Sequence, residues 1–226
     1  MVIKKLHYIG LIIVILSLAL LSYIPVSASD NANFYAIGLD YEVYDELDTL
    51  KGSIATVHIE ADKQGMAGIE QDIKVKTTNG YAVIEIVNWY YGLEEGTALG
   101  ITVYTESGFV FDSKRPAQIG EVYSYEVTIA DGVVEVKIKD SQDDLIFKSS
   151  YNGDAQYIES TASYIEYWRY DEPGSFFYYG YVTIDNAEQL QYKDDFYHKA
   201  KELPFDFYFI HHNWDGITDK GEIDDR

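Results

Sequence analysis

The sequence contains no cysteine, and this absence excludes disulfide bonds, thiolate metal sites and a cysteine nucleophile. The stability of the folded chain must therefore come from side-chain packing. Large, half-polar side chains for that packing are abundant, because the 226 residues include 22 tyrosines and 10 phenylalanines. Helical periodicity is nearly absent, and no internal repeat or low-complexity tract occurs. A chain of this kind, with about two hundred residues after its apolar leader, favours one β domain.

Basic residues are also few. The chain has 17 lysines and arginines against 38 aspartates and glutamates, which gives a formal net charge of −21 at pH 7. Such a charge repels nucleic acid and anionic lipid head groups and favours cations and solubility. We therefore expect no nucleic-acid partner. A solvated acidic surface has the same composition, so the charge by itself identifies no ligand.

Two hydrolase motifs, H-E-x-x-H and G-x-S-x-G, are missing as well. Glycosidases of the β-sandwich type use paired carboxylates in an E-x-D-x-x-E pattern, whereas Glu60, Glu85 and Glu166 occur singly. The histidines are equally uninformative, since His211 and His212 would point to opposite faces of a strand. The sequence therefore contains no complete catalytic motif of these classes.

An apolar leader precedes the acidic part of the chain. Lys4 and Lys5 are followed by an apolar run from Tyr8 to Ile24 and then by small residues, which is typical of a secretory signal cleaved after Ala28 or Ser29. The run is nearly long enough to serve instead as an uncleaved membrane anchor. We therefore assign residues 1–29 to a signal peptide or N-terminal anchor. Both alternatives predict a protein that is secreted or held at the extracellular face of the membrane.

The clearest structural pattern is a β-hairpin over residues 121–140. Asp131-Gly132 is a strong two-residue turn signal, and it sets one register for the two strands. In that register the apolar residues pair on one face and opposite charges, such as Glu126 and Lys137, pair on the other. The predicted core pairs are Ile129/Val134, Val127/Val136 and Tyr125/Ile138.

A second hairpin is predicted around Asn79-Gly80, with Ile73 opposite Ile86. In this register Gln71 and Asn88 face each other on the otherwise apolar side. An unpaired buried amide costs on the order of 1–3 kcal/mol, so the two side chains either bond to each other or serve a ligand.

The remaining segments alternate with a period of two and are separated by turn signals. This spacing predicts an all-β fold, an antiparallel β-sandwich of about eleven or twelve strands over residues 30–211. One short helix is predicted near the C-terminus at DDFYHKAKEL (194–203), where Phe196, Ala200 and Leu203 share a helical face.

Two segments, ASYIEYWRYDEPGSFFYYGYVTIDNA (162–187) and AGIEQDI (67–73), resemble strands of the concanavalin A-like jelly rolls. Within that superfamily the chain is most similar to the eqolisin glutamic peptidases, whose strands read Q-T-G-[VL]-D-F, A-E-W-I-x-E and F-G-T-V-T-F-T. The resemblance covers roughly residues 34–187. It implies a jelly-roll sandwich and peptide hydrolysis at acid pH by a Gln/Glu dyad, in which the carboxyl group activates water and the amide stabilises the oxyanion.

The resemblance places the family's glutamine on Gln71 but finds no matching acid. Ser163 occupies the position of the glutamate, Glu166 lies on the opposite face of the strand, and Glu159 is displaced by four residues. Without a carboxyl group opposite Gln71 no general base is present. The catalytic candidates are thus Gln71, Glu166 and Glu159, but we expect the peptidase activity to be lost.

Aromatic residues at strand ends suggest a ligand-binding surface. Trp89, Tyr91 and Trp168, together with Gln71 and Asn88, could line a platform on which a sugar or an extended peptide stacks. The alternative is that these aromatic side chains belong to the hydrophobic core.

The C-terminal residues 212–226 are predicted to be an acidic tail. HHNWDGITDKGEIDD resembles a thrombospondin type-3 calcium repeat, which implies oxygen ligands for Ca²⁺. The sequence departs from the repeat at its opening aspartate and at one glycine, which would weaken binding. A disordered acidic tail is the alternative. The matched ligand positions are Asn213, Asp215, Asp219 and Glu222.

Taken together, these patterns predict an exported sandwich that binds an extracellular carbohydrate or extended peptide without catalysis, with the membrane contacted only through the N-terminal segment. One alternative is an acid-acting relative of the glutamic peptidases. Another is a self-associating subunit of a filament or coat, in which the strand FYAIGLDYEVY (34–44) completes the sheet of a neighbouring copy.

Overall fold

The computed structural model describes residues 33–93, 95–198, 203–213 and 216–226. The predicted leader, residues 1–29, lies outside this part of the chain. Fourteen strands are present in the described residues. Among those residues there is no helix whose length and hydropathy would let it span a membrane. In chain order the strands are β1 (Asn33–Leu47), β2 (Thr49–Ala61), β3 (Gly65–Thr77), β4 (Gly80–Tyr90), β5 (Thr97–Thr105), β6 (Gly108–Pro116), β7 (Tyr123–Ala130), β8 (Val133–Lys139), β9 (Leu145–Asn152), β10 (Ala155–Arg169), β11 (Phe176–Ile184), β12 (Leu190–His198), β13 (Asp206–Asn213) and β14 (Ile217–Asp225).

The strands form two antiparallel sheets of seven strands each. Sheet A has the order β12-β1-β10-β3-β4-β5-β6, and sheet B has the order β13-β14-β11-β2-β7-β8-β9. The predicted all-β, antiparallel jelly-roll sandwich is therefore confirmed. The main core lies between the sheets and consists of the aliphatic and aromatic side chains that alternate inward, such as Ile69 and Ile73 of β3 against Val127 and Tyr178 of sheet B.

The β7–β8 hairpin has the predicted register. Val127 pairs with Val136 and Tyr125 with Ile138, and both pairs are buried. The turn residues have positive φ, at 51° for Asp131 and 78° for Gly132, as the two-residue turn requires.

The β3–β4 hairpin differs from the prediction by two residues. The strands connect through Thr78 and Asn79, Ile73 pairs with Ile84, and Gln71 pairs with Ile86. A shift of two residues keeps every side chain on its original face, so the apolar pattern is equally satisfied by either register. The predicted Gln71/Asn88 pair is consequently wrong.

The predicted helix at 194–203 is also wrong over the described residues. Residues up to His198 belong to β12, which pairs with β1, and Phe196 packs against Tyr164 with ring centroids 6.0 Å apart. The helical turn nearest to it is the 3-10 turn Ala187–Gln189. A short apolar repeat fits a helix or a strand, and here hydrogen bonding to β1 determines the outcome.

The C-terminal residues do not form a separate acidic tail. The predicted boundary at residue 211 falls inside β13, and β14 lies between β11 and β13 in sheet B. At the other end of the chain, β1 pairs with β10 and β12 of its own sheet. It is therefore already occupied on both edges, which removes the basis for a donated N-terminal strand.

Candidate functional site

Four carboxyl groups project from the face of sheet A that points away from sheet B, which we call the outer face. They are Glu70 and Asp72 of β3, Glu85 of β4 and Glu166 of β10, and we call them the carboxyl cluster. The strand registers bring them together. Asp72 pairs directly with Glu85. Glu70 pairs with Tyr164, which is two residues before Glu166 on the same face of β10, so Glu70 and Glu166 are diagonal neighbours. Single carboxylate oxygens of Glu70, Asp72 and Glu85 lie within 4.8 Å of one another.

Aromatic side chains donate hydrogen bonds to this cluster. The indole Nε1 of Trp89 donates to Glu70. The hydroxyl of Tyr164 donates to Oε1 of Glu85 at 3.3 Å, and the hydroxyl of Tyr104 donates to Oε2 of Glu85 at 3.5 Å. Donors of this kind favour the ionised form of the carboxyl group that receives them. Among the described residues, no hydrogen bond reaches the carboxyl group of Glu166.

Three members of the cluster are buried although they lie on an outer face, and Asp72 is half-buried. Exposed fractions are 2% for Glu70, 7% for Glu85 and 6% for Glu166. Burial, and then the negative charges of the neighbouring acids, hold the pKa of Glu70, of Asp72 and of Glu166 well above the usual range. Burial also raises the pKa of Glu85, to about 7, against the hydrogen bonds of Tyr164 and Thr102, which lower it.

Burial therefore favours protonated carboxyl groups in the cluster, while the two phenol donors favour ionisation of Glu85, whose raised pKa is about 7. A carboxylate beside a carboxylic acid is the pair that general acid–base catalysis at a carbonyl group requires. The spacing would also suit a cation. However, the indole and phenol donors already occupy the oxygens of Glu70 and Glu85, and burial favours their neutral forms, so we interpret the cluster as proton-sharing.

An apolar cluster adjoins the carboxyl groups on the same outer face. It contains Met66, Val87, Trp89, Tyr91 and Tyr170, with Ala98 and Trp168 packed against it. The Trp89 ring lies over Gly68, where a Cβ atom would be 2.6 Å from the ring. Three predicted ligand-binding residues, Trp89, Tyr91 and Trp168, are thus on one face, next to the carboxyl cluster.

Gln71 and Asn88, the two predicted amides, are on the inner face instead. Oε1 of Gln71 accepts a hydrogen bond of 2.9 Å from Ser163, and its Nε2 donates to the carbonyl oxygen of Ala162 at 2.9 Å. Asn88 pairs with Ile69, and among the described residues neither polar atom of its side chain has a partner. Neither amide can contact a ligand on the outer face.

Of the two predicted acids, the structure places Glu166 in the carboxyl cluster. Glu159 is half-buried instead and forms an ion pair of 2.7 Å with Lys74.

The predicted calcium ligands are not brought together. Asp215 lies outside the described residues, and Asn213 ends β13. Asp219 is fully buried between the sheets, where it accepts hydrogen bonds of 2.8 Å from Tyr41 and from Nδ1 of His211. Glu222, three residues further along β14, lies on the opposite face. Asp219 and Glu222 therefore cannot bind the same ion, so the predicted set of four ligands is not assembled, and calcium binding itself stays a prediction.

Sequence reasoning missed Glu70, Asp72 and Glu85 as site residues. The available signal was the alternation in IEQDI (69–73), where the two acids take every second position and alternate with Ile69, Gln71 and Ile73. It was hidden by the register shift, since the predicted register placed Glu85 opposite Lys74 rather than Asp72.

No family model matches the sequence, and no curated protein matches it either. Among solved structures, this chain is similar to scytalido-glutamic peptidase with a transition state analog inhibitor, at TM-score 0.52 and 10% identity, covering 82% of this chain and 97% of that chain. A second structure of that peptidase, with a peptide-based analog, has TM-score 0.51, 12% identity and coverage of 83% and 97%. The eqolisin-family peptidase SCP-B in complex with the tripeptide Ala-Ile-His has TM-score 0.46, 11% identity and the same coverage. At these identities the likeness shows the shared sandwich fold.

Proposed function

We propose that this protein hydrolyses extended peptides with two carboxyl groups of the cluster, Glu85 as the base and Glu70 as the acid. The observation that carries this proposal is the close approach of buried carboxyl groups on the outer face of sheet A. Burial raises the pKa of both groups, and the hydrogen bonds that Glu85 accepts from Tyr164 and Tyr104 favour its ionised form, so the two groups can differ in protonation at one pH, which acid–base catalysis needs. The fold that it shares with scytalido-glutamic peptidase supports the choice of a peptide substrate.

In the proposed reaction the Glu85 carboxylate removes a proton from a water molecule, and the water oxygen attacks the peptide carbonyl carbon. Glu70 donates its proton to the carbonyl oxygen, so the tetrahedral intermediate is neutral at that atom. When the intermediate collapses, the C–N bond breaks, the proton held by Glu85 passes to the leaving nitrogen and Glu70 recovers its proton. Each group ends in its starting protonation state.

The sequence argued against catalysis because no acid faced Gln71. That objection does not apply to the carboxyl cluster, since Gln71 is on the inner face and takes no part. The proposed pair of carboxyl groups also differs from a Gln/Glu dyad in its pH dependence. Rates should rise as Glu85 ionises, near pH 7, and fall again when Glu70 loses its proton.

The test is hydrolysis of unfolded casein by the mature protein between about pH 3 and 9. We expect a bell-shaped profile, and we expect Glu85→Gln and Glu70→Gln each to reduce the rate by about 100-fold or more. Glu126→Gln is the matched control, because Glu126 lies on sheet B and forms an ion pair with Lys51. A wild-type protein without turnover, or one whose rate survives both cluster substitutions, would refute the proposal.

A second candidate function is binding of an extended peptide or carbohydrate on the same face without hydrolysis. It is favoured by the apolar cluster around Trp89 and Tyr91, which adjoins the carboxyl groups. Binding that weakens in Trp89→Phe, in a protein that cleaves no substrate, would select this function. For either function the leader sequence suggests that the protein acts outside the cell.

A further inference from the structure

Tyr164 is held at the centre of the outer face by its neighbours in the sheet. It lies in β10 between Gly38 of β1 and Glu70 of β3. A Cβ atom at Gly38 would be 2.3 Å from the Cβ of Tyr164, so the absence of a side chain there lets Tyr164 leave the sheet at this point. Its ring then packs against Phe196 of β12. The orientation of the side chain is therefore fixed by packing.

The hydroxyl group of Tyr164 bonds to one carboxyl group of the cluster and influences two more. It donates to Glu85 at 3.3 Å. Hydrogen bonding by the same hydroxyl also opposes the rise in the pKa of Glu70 and of Asp72. A phenol has one proton to donate, so it can fully stabilise only one carboxylate at a time.

Tyr164 itself remains a donor while the carboxyl groups titrate. Burial, and then the charge of Asp72, hold the pKa of its hydroxyl well above the usual range. It therefore cannot become a second anion in the cluster. Tyr104, the other phenol at Glu85, is farther from its acceptor, at 3.5 Å.

We propose that Tyr164 is a positioning residue that places the single negative charge of the carboxyl cluster on Glu85 and leaves the protons on its neighbours. The consequence for catalysis rests on the proposed function, because it makes Glu85 the base. The placement of the charge is a property of the folded protein and can be measured without turnover.

The test compares Tyr164→Phe with wild type by carboxyl ¹³C NMR titration and by the pH profile of casein hydrolysis. Loss of the donor should move the titration midpoint of Glu85, and the acid limb of the profile, upward by about one pH unit. The matched control is Tyr125→Phe, which removes another buried phenol hydroxyl, bonded to the carbonyl oxygen of Thr183 on sheet B at 2.9 Å. Tyr125→Phe should change neither the titration midpoint of Glu85 nor the acid limb of the pH profile.

Two results would overturn the inference: a folded Tyr164→Phe protein whose midpoints match those of wild type, or an equal shift in Tyr125→Phe. The NMR titration and the hydrolysis assay also separate this inference from the proposed function. A shifted titration in a protein that never cleaves casein supports the charge placement and rejects the peptidase. Cleavage with no shift rejects the role of Tyr164 alone.

A measurement on the wild-type protein covers the case in which Tyr164→Phe does not fold. The hydroxyl proton of Tyr164 can be identified by its nuclear Overhauser contact with the Glu85 side chain. We expect its resonance to move downfield as Glu85 ionises, because the hydrogen bond to a carboxylate is stronger. A resonance that stays fixed through that titration would overturn the inference.

Discussion

Adjacent residues of β3 have opposite roles because side chains of a strand alternate between faces. Glu70 points to the outer face and takes part in the carboxyl cluster, while Gln71 points inward and bonds to Ser163. An error of one residue in matching this strand to another family therefore exchanges a site residue for a structural one. Gln71 is a buried amide with its partners in place, which is the ordinary condition of a polar side chain in a core.

Asn88 is one of the exceptions to that rule, and it leads to a test. It is fully buried, yet neither of its side-chain polar atoms has a partner within the described residues. Leucine has the same number and branching of side-chain heavy atoms and no polar atoms, so we expect Asn88→Leu to raise the free energy of unfolding by about 1–3 kcal/mol in urea titrations. Gln71→Leu, the matched control, should lower it, because the hydroxyl group of Ser163 would lose its acceptor. A destabilised Asn88→Leu protein would show that the amide is satisfied, for example by a buried water molecule.

At the scale of single elements, the two hairpins show what a local pattern can specify. In β7–β8 the turn pair Asp131-Gly132 and the charges Glu126 and Lys137 agree on one register, which the structure has. In β3–β4 the apolar residues are consistent with registers two residues apart, so only the turn could decide, and the turn forms at Thr78 and Asn79. Predicting that choice would require the conformation of the turn itself.

The confirmed hairpin yields a prediction about stability. Val127 is fully buried between the sheets, and we expect Val127→Ala to lower the free energy of unfolding by about 1–3 kcal/mol through lost burial and a residual cavity. Lys137 lies on the solvated face, where its ion pair is with Glu135 at 2.5 Å. Lys137→Ala should leave the unfolding midpoint nearly unchanged. Equal losses for the two variants, in parallel chemical denaturation, would contradict the assignment of the faces.

The C-terminal strand was not predictable from its own sequence. ITDKGEIDD has few apolar residues, and its local composition resembles a calcium loop or a solvated tail. What makes β14 a strand within the sandwich is distant in the chain. Tyr41 of β1 donates to the buried Asp219 at 2.8 Å, and β11 pairs with β14 along its whole length. Non-local partners of this kind leave no periodic signal.

For the whole molecule, the fold class followed from period-two alternation and turn residues, because burial of one face of each strand imposes that pattern. The candidate site could not be predicted in the same way, because it depends on the pairing registers of strands that are far apart in sequence. Glu166 of β10 reaches Glu70 only through the pairing of β10 with β3. The sequence therefore identified single acids such as Glu85 without showing which of them meet on one face.

The raised pKa values also predict how the stability of the whole molecule depends on pH. The pKa of Glu85 in the folded protein is about 7, against 4.5 for an ordinary glutamate. A group whose pKa is raised by folding contributes stability that is fully present below its unfolded pKa and is lost as the pH rises through the folded value. His211 acts in the same direction, because its hydrogen bond to Asp219 raises its pKa. The pKa of Asp224 is lowered, so its contribution to stability is lost only at pH values below the pKa of an ordinary aspartate.

We therefore expect the free energy of unfolding to be highest near pH 4.5 and to fall as the pH rises past 7, with about 3 kcal/mol of the loss due to Glu85. Urea unfolding at about pH 4.5, 6 and 7.5, at constant ionic strength, measures this slope. Glu85→Gln keeps the shape of the side chain but cannot ionise, so it should remove its share of about 3 kcal/mol from the loss and leave the share of Glu70, Asp72 and Glu166. Glu126→Gln, with its half-buried carboxyl group on sheet B, should retain the whole slope. If the wild-type protein is as stable at pH 7.5 as at pH 4.5, the carboxyl groups do not hold their protons in the folded state, and the basis for a proton-sharing cluster is lost.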